Sequence, residues 1–438
     1  MRSKMIIVAT VVASLLFVPL MASADQVQEQ LRLMEQRMAE MEDRLQATSV
    51  ELQSAKATVD QQQGLLTDAG LIDADDLGIR SGVSDFLNMV EVDGVMAASY
   101  NHRLKRSKVA TTNNSGTIRD SSGIGGNDLY RHPDSNTFAV DQLWLNVGKT
   151  PTEESRGGFH FAFVTGKTAD ALSGGNNDDF QPYLYDAYVS YLFDCACGFQ
   201  LDAGLMPTVF GAEAVQTDLN FFVTQGELFR LQPITNTGVK VSGKITDEVS
   251  YQVGILNEIY DATMTSMTAD KAYFLRVAAD MEKMSFGAGV IHGSDQTSVE
   301  CQGADCHTTI IDLVMSADPT DNVSVWANFD YVIAGGEDMN RTGHAYGVSV
   351  AGRLAVTEKT GVASRVEWVM RDAHFVGNST NDDTEIVTLT GTVDHALSDH
   401  VTARMEFRWD TFTQKDASQF AGDNNDQVTG FAEILYKF

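Results

Sequence analysis

The sequence predicts an all-β membrane barrel of about sixteen antiparallel strands, with an N-terminal α-helical coiled coil before it. Three observations lead to this fold class: an export signal, a heptad repeat, and a long region of alternating apolar and polar residues. The strand count could also be fourteen or eighteen, because the segments near 137–166 alternate poorly.

The N-terminus carries the pattern of a secretory signal peptide. Arg2 and Lys4 precede an apolar stretch that ends at Met21, and Ala22-Ser23-Ala24 offers a small-residue cleavage site. A transmembrane anchor is the alternative, but the apolar stretch is short for a span and the cleavage site follows it directly. We predict a signal peptide over 1–24, whose removal from 438 residues leaves 414.

The chain is acidic, with a formal net charge of −29 that becomes −31 when Arg2 and Lys4 leave with the signal. Such acidity argues against nucleic acid or an anionic membrane surface as a partner. No stretch after residue 24 is long and apolar enough for a transmembrane helix. Only a closed barrel could then span a membrane, because all its backbone groups must be hydrogen-bonded internally.

A heptad repeat follows the signal. From Val27 to Val59 apolar residues recur at alternating intervals of four and three, which is typical of a coiled coil. Self-association is favoured because a solitary helix has nothing to bury this stripe against, although packing on another part of the chain is the alternative. We predict a coiled coil over 25–63 and a linker over 64–87. The oligomerisation seam includes Leu31, Met34, Met38, Met41, Leu45 and Leu52.

The pattern changes to a period of two in the region 88–438. Strands of roughly ten residues match a tilted membrane crossing, whereas strands of soluble sandwiches average about 5–6 residues. Short turns alternate with long polar loops, and an even strand number leaves both chain ends on the periplasmic side. The predicted strands are 88–100, 137–149, 158–166, 184–193, 199–206, 236–245, 249–257, 271–281, 285–292, 308–317, 323–333, 343–355, 362–371, 384–394, 400–410 and 426–438.

Two segments resemble known outer-membrane proteins. The chain ends in Ile434-Leu435-Tyr436-Lys437-Phe438, which resembles the terminal signal of outer-membrane barrels. Gly204–Glu213 and the following Pro233–Lys240 resemble the β-barrel porin-2 (OmpL-like) family, although Met206 stands where Lys is common. A coiled coil before a barrel is also similar to trimeric porins for small diacids and other anions. The resemblance implies an outer-membrane pore of unspecified substrate.

A sixteen-strand barrel is wide enough for an aqueous channel, so its inner face is expected to be polar. Charged residues share faces in several predicted strands, and rings of charge set the ion preference of a pore. The alternative is that neighbouring Arg–Glu pairs merely neutralise each other. The predicted pore-lining residues are Arg276, Arg365, Glu367, Arg371, Arg404, Glu406 and Arg408.

Loop 207–235 is unusually rich in aromatic and aliphatic residues for an exposed loop. We predict that it folds into the lumen and narrows it, while packing over a neighbouring subunit is the alternative. Glu213, Asp218 and Glu227 would then face Arg230 and the arginines of the wall.

The four cysteines fit an oxidising compartment. Cys301 and Cys306 lie in one long loop, which favours a local disulfide. Together with His307 they also form a rare variant of the haem-attachment spacing. The sequence leaves the state of Cys195 and Cys197 open, since a bond between them would be strained.

No catalytic motif or metal-ligand spacing is present, so we expect no enzyme activity, cofactor or metal. The sequence favours a homotrimeric diffusion porin for small hydrophilic or charged solutes, embedded in outer-membrane lipid with the coiled coil in the periplasm. The alternative is a structural barrel that serves as a scaffold or conduit without general porin activity.

Overall fold

The computed structural model describes residues 89–105, 136–173, 182–194, 198–260, 270–294, 306–336, 342–372, 383–414 and 426–438, within a compact unit that spans Asn88–Phe438. The predicted signal peptide, coiled coil and linker lie outside the described residues and stay predictions. Among the described residues, no helix is long and apolar enough to cross a membrane.

Sixteen strands form one closed antiparallel barrel in which each strand pairs with its sequence neighbours and β1 pairs with β16. This confirms the barrel of the predicted fold class and the count of sixteen strands. One short helix, α1 (Lys167–Leu172), follows β3. The strands are β1 Glu91–Lys105, β2 Thr137–Lys149, β3 Gly157–Thr165, β4 Tyr183–Leu192, β5 Gln200–Pro207, β6 Thr235–Lys244, β7 Val249–Leu256, β8 Ala272–Met281, β9 Met284–Ser294, β10 Cys306–Thr320, β11 Val323–Gly336, β12 Gly343–Ala355, β13 Thr360–Arg371, β14 Thr384–Ala396, β15 Val401–Gln414 and β16 Asp426–Lys437.

The C-terminal strand closes the barrel. β16 pairs with β1 in a register that places Tyr100 opposite Ala432. The last residue extends this seam, because Gly94 and Phe438 exchange two backbone hydrogen bonds of 3.1 Å. Closure leaves no sheet edge with unpaired backbone groups, which is the requirement for a strand structure in lipid.

Alternation along each strand separates an apolar outer face from a polar inner face. In β13 the outward Val362 and Val366 are 44% and 54% exposed, while the inward Arg365 and Glu367 are buried. A side chain points to the opposite face at every step of a strand, so this pattern fixes the inner and outer surfaces of the barrel. The inner face therefore carries the charges available for function.

Candidate functional site

The segment 208–234 connects β5 to β6 and packs against inward-facing side chains of the barrel; we call it the inner loop. Its aromatic residues Phe222 and Phe229 are 1% and 4% exposed. Two short 3-10 turns, Thr217–Leu219 and Leu228–Leu231, shape it. These aromatic residues, unusual for an exposed loop, are thus buried, which removes the cost of leaving them in water.

The first part of the inner loop crosses β9, β10 and β11. Phe210 packs over Gly289 of β9, where an added Cβ would lie 2.6 Å from the phenylalanine ring. The backbone N–H of Gly211 donates to Asp312 Oδ1 over 3.2 Å, and the next N–H in the loop donates to Asn328 Oδ1 over 3.2 Å. Inward polar side chains of the wall therefore satisfy the loop backbone where strand pairing is not possible.

The inner loop then reaches β2. Gln142 Nε2 donates to the carbonyl oxygen of Val215 over 2.7 Å, and the N–H of Thr217 donates to Gln142 Oε1 over 3.0 Å. Gln142 is fully buried. One amide side chain thus uses both a donor and an acceptor to hold the far point of the loop.

The return part of the inner loop is bound to carboxylates and guanidinium groups of β13 and β15. Glu406 accepts the N–H of Val223 over 2.7 Å and the hydroxyl of Thr224 over 2.6 Å. Arg408 Nη1 donates to the carbonyl oxygen of Gln225 over 2.6 Å, and Arg365 Nη1 donates to that of Thr224 over 2.9 Å. Hydrogen bonds with an ionised partner are the stronger kind, so this side of the loop is firmly attached.

Ion pairs join the same surfaces. Arg365 lies 2.5 Å from Glu213 of the loop, and Arg408 lies 3.3 Å from Glu227. Arg371 lies 3.6 Å from the second oxygen of Glu227. A buried charge without a partner is strongly unfavourable, and these contacts give each arginine a carboxylate.

Six of the seven predicted pore-lining residues face the interior but are covered by the inner loop. Arg365 and Arg408 are 0% exposed, and the most exposed of the six, Arg371, reaches only 5%. Five of these charges are ion-paired in a buried layer between wall and loop, and the carboxylate of Glu406 instead accepts hydrogen bonds from the loop. The six are Arg365, Glu367, Arg371, Arg404, Glu406 and Arg408.

Two buried carboxyl groups of the inner loop, Glu213 and Glu227, have pKa values shifted in opposite directions. Burial raises the pKa of Glu213 above its ordinary value, an effect that Arg365 opposes without cancelling. Burial also acts on Glu227, but Arg230, Arg371 and Arg408 together outweigh it and lower the pKa of this carboxyl. Glu227 is therefore the more firmly ionised of the two.

The remaining predicted residues of the loop and the cysteines have separate positions. Asp218 lies 2.9 Å from Lys437 of β16, and Arg230 lies 4.0 Å from Glu227. Cys306 begins β10, whereas Cys301 and the Cys195–Cys197 turn lie outside the described residues. The disulfide stays a prediction.

A cavity of about 690 Å³ remains between the inner loop and the opposite part of the wall. Arg276 of β8, the seventh predicted pore-lining residue, borders this cavity. His160 Nδ1 and Asp186 Oδ1 form a 2.6 Å contact there. Polar side chains that border the cavity are Asp93, Asn146, His160, Tyr185, Asp186, Thr208, Glu213, Gln216, Gln252, Arg276 and Lys437.

Most of these cavity residues were missed by sequence reasoning. The strands β1–β4 contain register irregularities at Ala97/Ala98 and at Ala162/Phe163. A bulge inserts one residue and reverses the period of two, so the inward face cannot be followed across it. With the correct register, the sequence would have shown that His160 and Asp186 lie close together on neighbouring strands.

A closed sixteen-stranded barrel with a loop packed on its inner wall defines a protein of the porin type. Similar folds include OmpT of Vibrio cholerae in a trimer form (12% identity, 80% of this chain and 99% of that chain, TM-score 0.54). An anion-selective porin from Comamonas acidovorans has the same identity, coverages and TM-score. The outer membrane channel DcaP of Acinetobacter baumannii is 11% identical, with 80% of this chain and 97% of that chain covered and a TM-score of 0.54. At these identities the likeness concerns the fold alone.

Residues 90–438 match the family described as "Putative beta-barrel porin-2, OmpL-like", and the chain belongs to that family. This confirms the resemblance seen at Gly204–Glu213 and Pro233–Lys240. Membership and the barrel fold place the chain in the bacterial outer membrane. No curated protein matches the sequence.

Proposed function

We propose that the protein is a passive diffusion channel for small hydrophilic or charged solutes, narrowed by the inner loop. The observation that supports this most directly is the cavity of about 690 Å³ that the loop leaves beside a polar wall. A lumen of sixteen strands is wide enough for an aqueous path even when a loop occupies part of it.

In this proposal the two halves of the wall have different tasks. The buried residues of β13 and β15 attach the inner loop, and the loop in turn limits the size of solutes. Arg276 and Asp93, which both border the cavity, line the passage itself. Charges that border the open path act on a passing ion more strongly than charges that are already paired.

We further propose that three copies assemble through the coiled coil at 25–63, in the periplasm. The heptad seam, which includes Leu31, Met38 and Leu45, needs a partner helix to cover it. Trimers occur among structural neighbours, as the V. cholerae protein shows by its trimer form. We also propose a disulfide between Cys301 and Cys306, because disulfides form in an oxidising compartment such as the periplasm.

Single-channel recording on purified full-length protein in a planar bilayer tests the diffusion channel. We expect a steady conductance that closes in three equal steps, one for each subunit. A variant that lacks 25–63 should lose the heat-stable trimer in gel electrophoresis. Folded and inserted protein that does not conduct would contradict the channel. It would favour the structural barrel, for which the covering of β10–β16 by the inner loop is the supporting observation.

A further inference from the structure

Arg276 differs from the other inward-facing arginines in that it has no carboxylate partner. Among the described residues, no carboxylate oxygen lies within 4.0 Å of it and its Nε has no hydrogen-bond partner. By contrast, Arg353 pairs with Asp394 at 2.6 Å, Arg365 pairs with Glu213, and Arg408 pairs with Glu227. The charge of Arg276, beside the passage, is therefore not part of an ion pair with any residue that the structure describes.

The structure also shows why Arg276 does not pair with the acid nearest to it in the sheet. Gly289 of β9 stands in register between Arg276 of β8 and Asp312 of β10. The ring of Phe210 occupies the space above Gly289 and packs edge-to-face on Phe274, with 6.1 Å between ring centroids. The phenylalanine ring thus lies over the strand between Arg276 and Asp312, whose charges act on each other from beyond the 4.0 Å of an ion pair.

A second glycine of the same strand gives the guanidinium its place. An added Cβ at Gly287 would meet Nη2 of Arg276. The side chain thus extends over a strand that has no side chains of its own at 287 and 289. The guanidinium is thus held at the border of the cavity without forming an ion pair with a described residue.

The cavity that Arg276 borders has both apolar and charged surface. The loop residues Val209 and Ile234 are half-buried there, and Leu219 is 63% exposed.

Other charged groups also border the cavity, but several of them have partners of opposite charge. Asp186 contacts His160, Glu213 is paired with Arg365, and Lys437 is paired with Asp218. Apolar surface beside a cation without such a partner recognises a molecule that has an apolar body and one anionic group. A guanidinium prefers a carboxylate, because its parallel N–H groups match the two oxygens.

We propose that Arg276 is the selectivity-determining residue of the channel and that its preferred solutes are small organic anions with a carboxylate and an apolar body. This rests on the proposed diffusion function. The carboxylate binds Arg276 while the body lies on the apolar residues of the inner loop. The arginines of β13 and β15 contribute little to selectivity, because their charges are neutralised inside the wall.

The test compares full-length wild type with Arg276→Gln, Arg276→Lys and Arg353→Gln in planar bilayers. Arg353→Gln is the matched control, since it removes the same charge from an inward position outside the cavity. The anion-to-cation permeability ratio from a KCl gradient should fall about fivefold in Arg276→Gln, the order expected for one unit charge at contact distance in water. It should change little in Arg276→Lys and in the control.

The second readout is the reduction of channel current by benzoate, with benzamide as the uncharged probe of the same shape. Benzoate should reduce the wild-type current at lower concentrations than benzamide does. In both Arg276 variants benzoate should reduce the current less than in wild type. The lysine variant is included because lysine keeps the charge but lacks the paired N–H groups. Heat-modifiable migration in gels verifies that each variant is folded.

Two results would overturn the inference while the channel itself stands. One is a conducting Arg276→Gln protein whose permeability ratio equals that of Arg353→Gln. The other is a wild-type current that benzoate and benzamide reduce equally. A wild-type protein that does not conduct at all is a different failure, since it contradicts the proposed function before selectivity can be measured.

Discussion

The two halves of the barrel wall use the same residue types in different ways. On the side of β10–β16, arginines and carboxylates form a buried layer with the inner loop, in which Arg365 and Arg408 are 0% exposed. On the side of β1–β9, Arg276 borders a cavity of about 690 Å³ and has no carboxylate partner among the described residues. The first side holds the loop through buried charges, whereas the second holds it through Gln142 and Gly289 and also borders the cavity.

This difference teaches that the number of charges on an inner wall does not describe the field in the channel. A buried ion pair contributes attachment and specificity of packing, and its external field is small because the partner charge lies close by. An unpaired charge at the border of a passage keeps its field. Four predictions test the comparison, from the largest expected effect to the smallest.

The largest effect is expected when the inner loop is removed. Thr208 and Ile234 are joined by a backbone hydrogen bond of 2.9 Å, so a short Gly-Ser linker can replace residues 212–230. Single-channel conductance should rise at least about twofold, because a sixteen-strand barrel without the loop has a wide aqueous lumen. An unchanged conductance in folded protein would show that the loop does not limit the passage.

The next effect concerns the buried layer. Arg408 lies 2.8 Å from Asp410 and 3.3 Å from Glu227. Arg408→Leu therefore removes a positive partner from two buried carboxylates. Loss of one member of a buried pair costs about 3–5 kcal/mol. We expect a lower melting temperature and a noisier current. The double variant Arg408→Leu, Asp410→Leu should recover part of the stability, and equal melting temperatures of wild type and Arg408→Leu would contradict the attachment role.

A smaller effect is expected from pH, and its direction follows from the opposite pKa shifts of Glu213 and Glu227. The pKa of Glu227 is lowered from 4.5, so its contribution to stability is present above that pH and is lost as the pH falls through the lower folded value. The wild-type current should stay quiet until the pH is below 4.5. Glu227→Gln should be noisy already at neutral pH.

Glu213→Gln is the matched control for this experiment. Burial raises the pKa of Glu213, so the ionised form of this group is less favoured in the folded state and its stability contribution falls as the pH rises. Its neutral variant should disturb the current less than Glu227→Gln does. Equal noise in both variants across the pH range would contradict the distinction.

The smallest effect is expected at a partly exposed pair. Arg353 and Asp394 are joined by two hydrogen bonds of 2.6 and 2.9 Å, but the arginine side chain is 31% exposed. Arg353→Gln should lower the free energy of unfolding by less than about 1 kcal/mol, because water screens the pair. Chemical denaturation measures this, and a loss as large as that of Arg408→Leu would remove the contrast between buried and exposed pairs.

The amount that could be predicted from sequence differs between the same two halves. In β13 and β15 the period of two is unbroken, so the inward positions of Arg365, Glu367, Arg404 and Arg408 follow from counting alone. In β1–β4 the bulges at Ala97/Ala98 and Ala162/Phe163 interrupt the count. The inward pair of His160 and Asp186 was missed for that reason, although both residue types are common at functional sites.

By itself the sequence determined the closed barrel, its strand number to within two, and the face of most side chains, because these depend on local alternation and on the pairing of neighbouring strands. Only the tertiary structure decided what covers each face. The contacts of Glu213 with Arg365 and of Thr224 with Glu406 join residues 152 and 182 positions apart. Alternation within a strand contains no information about such distant partners, so the paired arginines and the unpaired Arg276 look alike until the chain is folded.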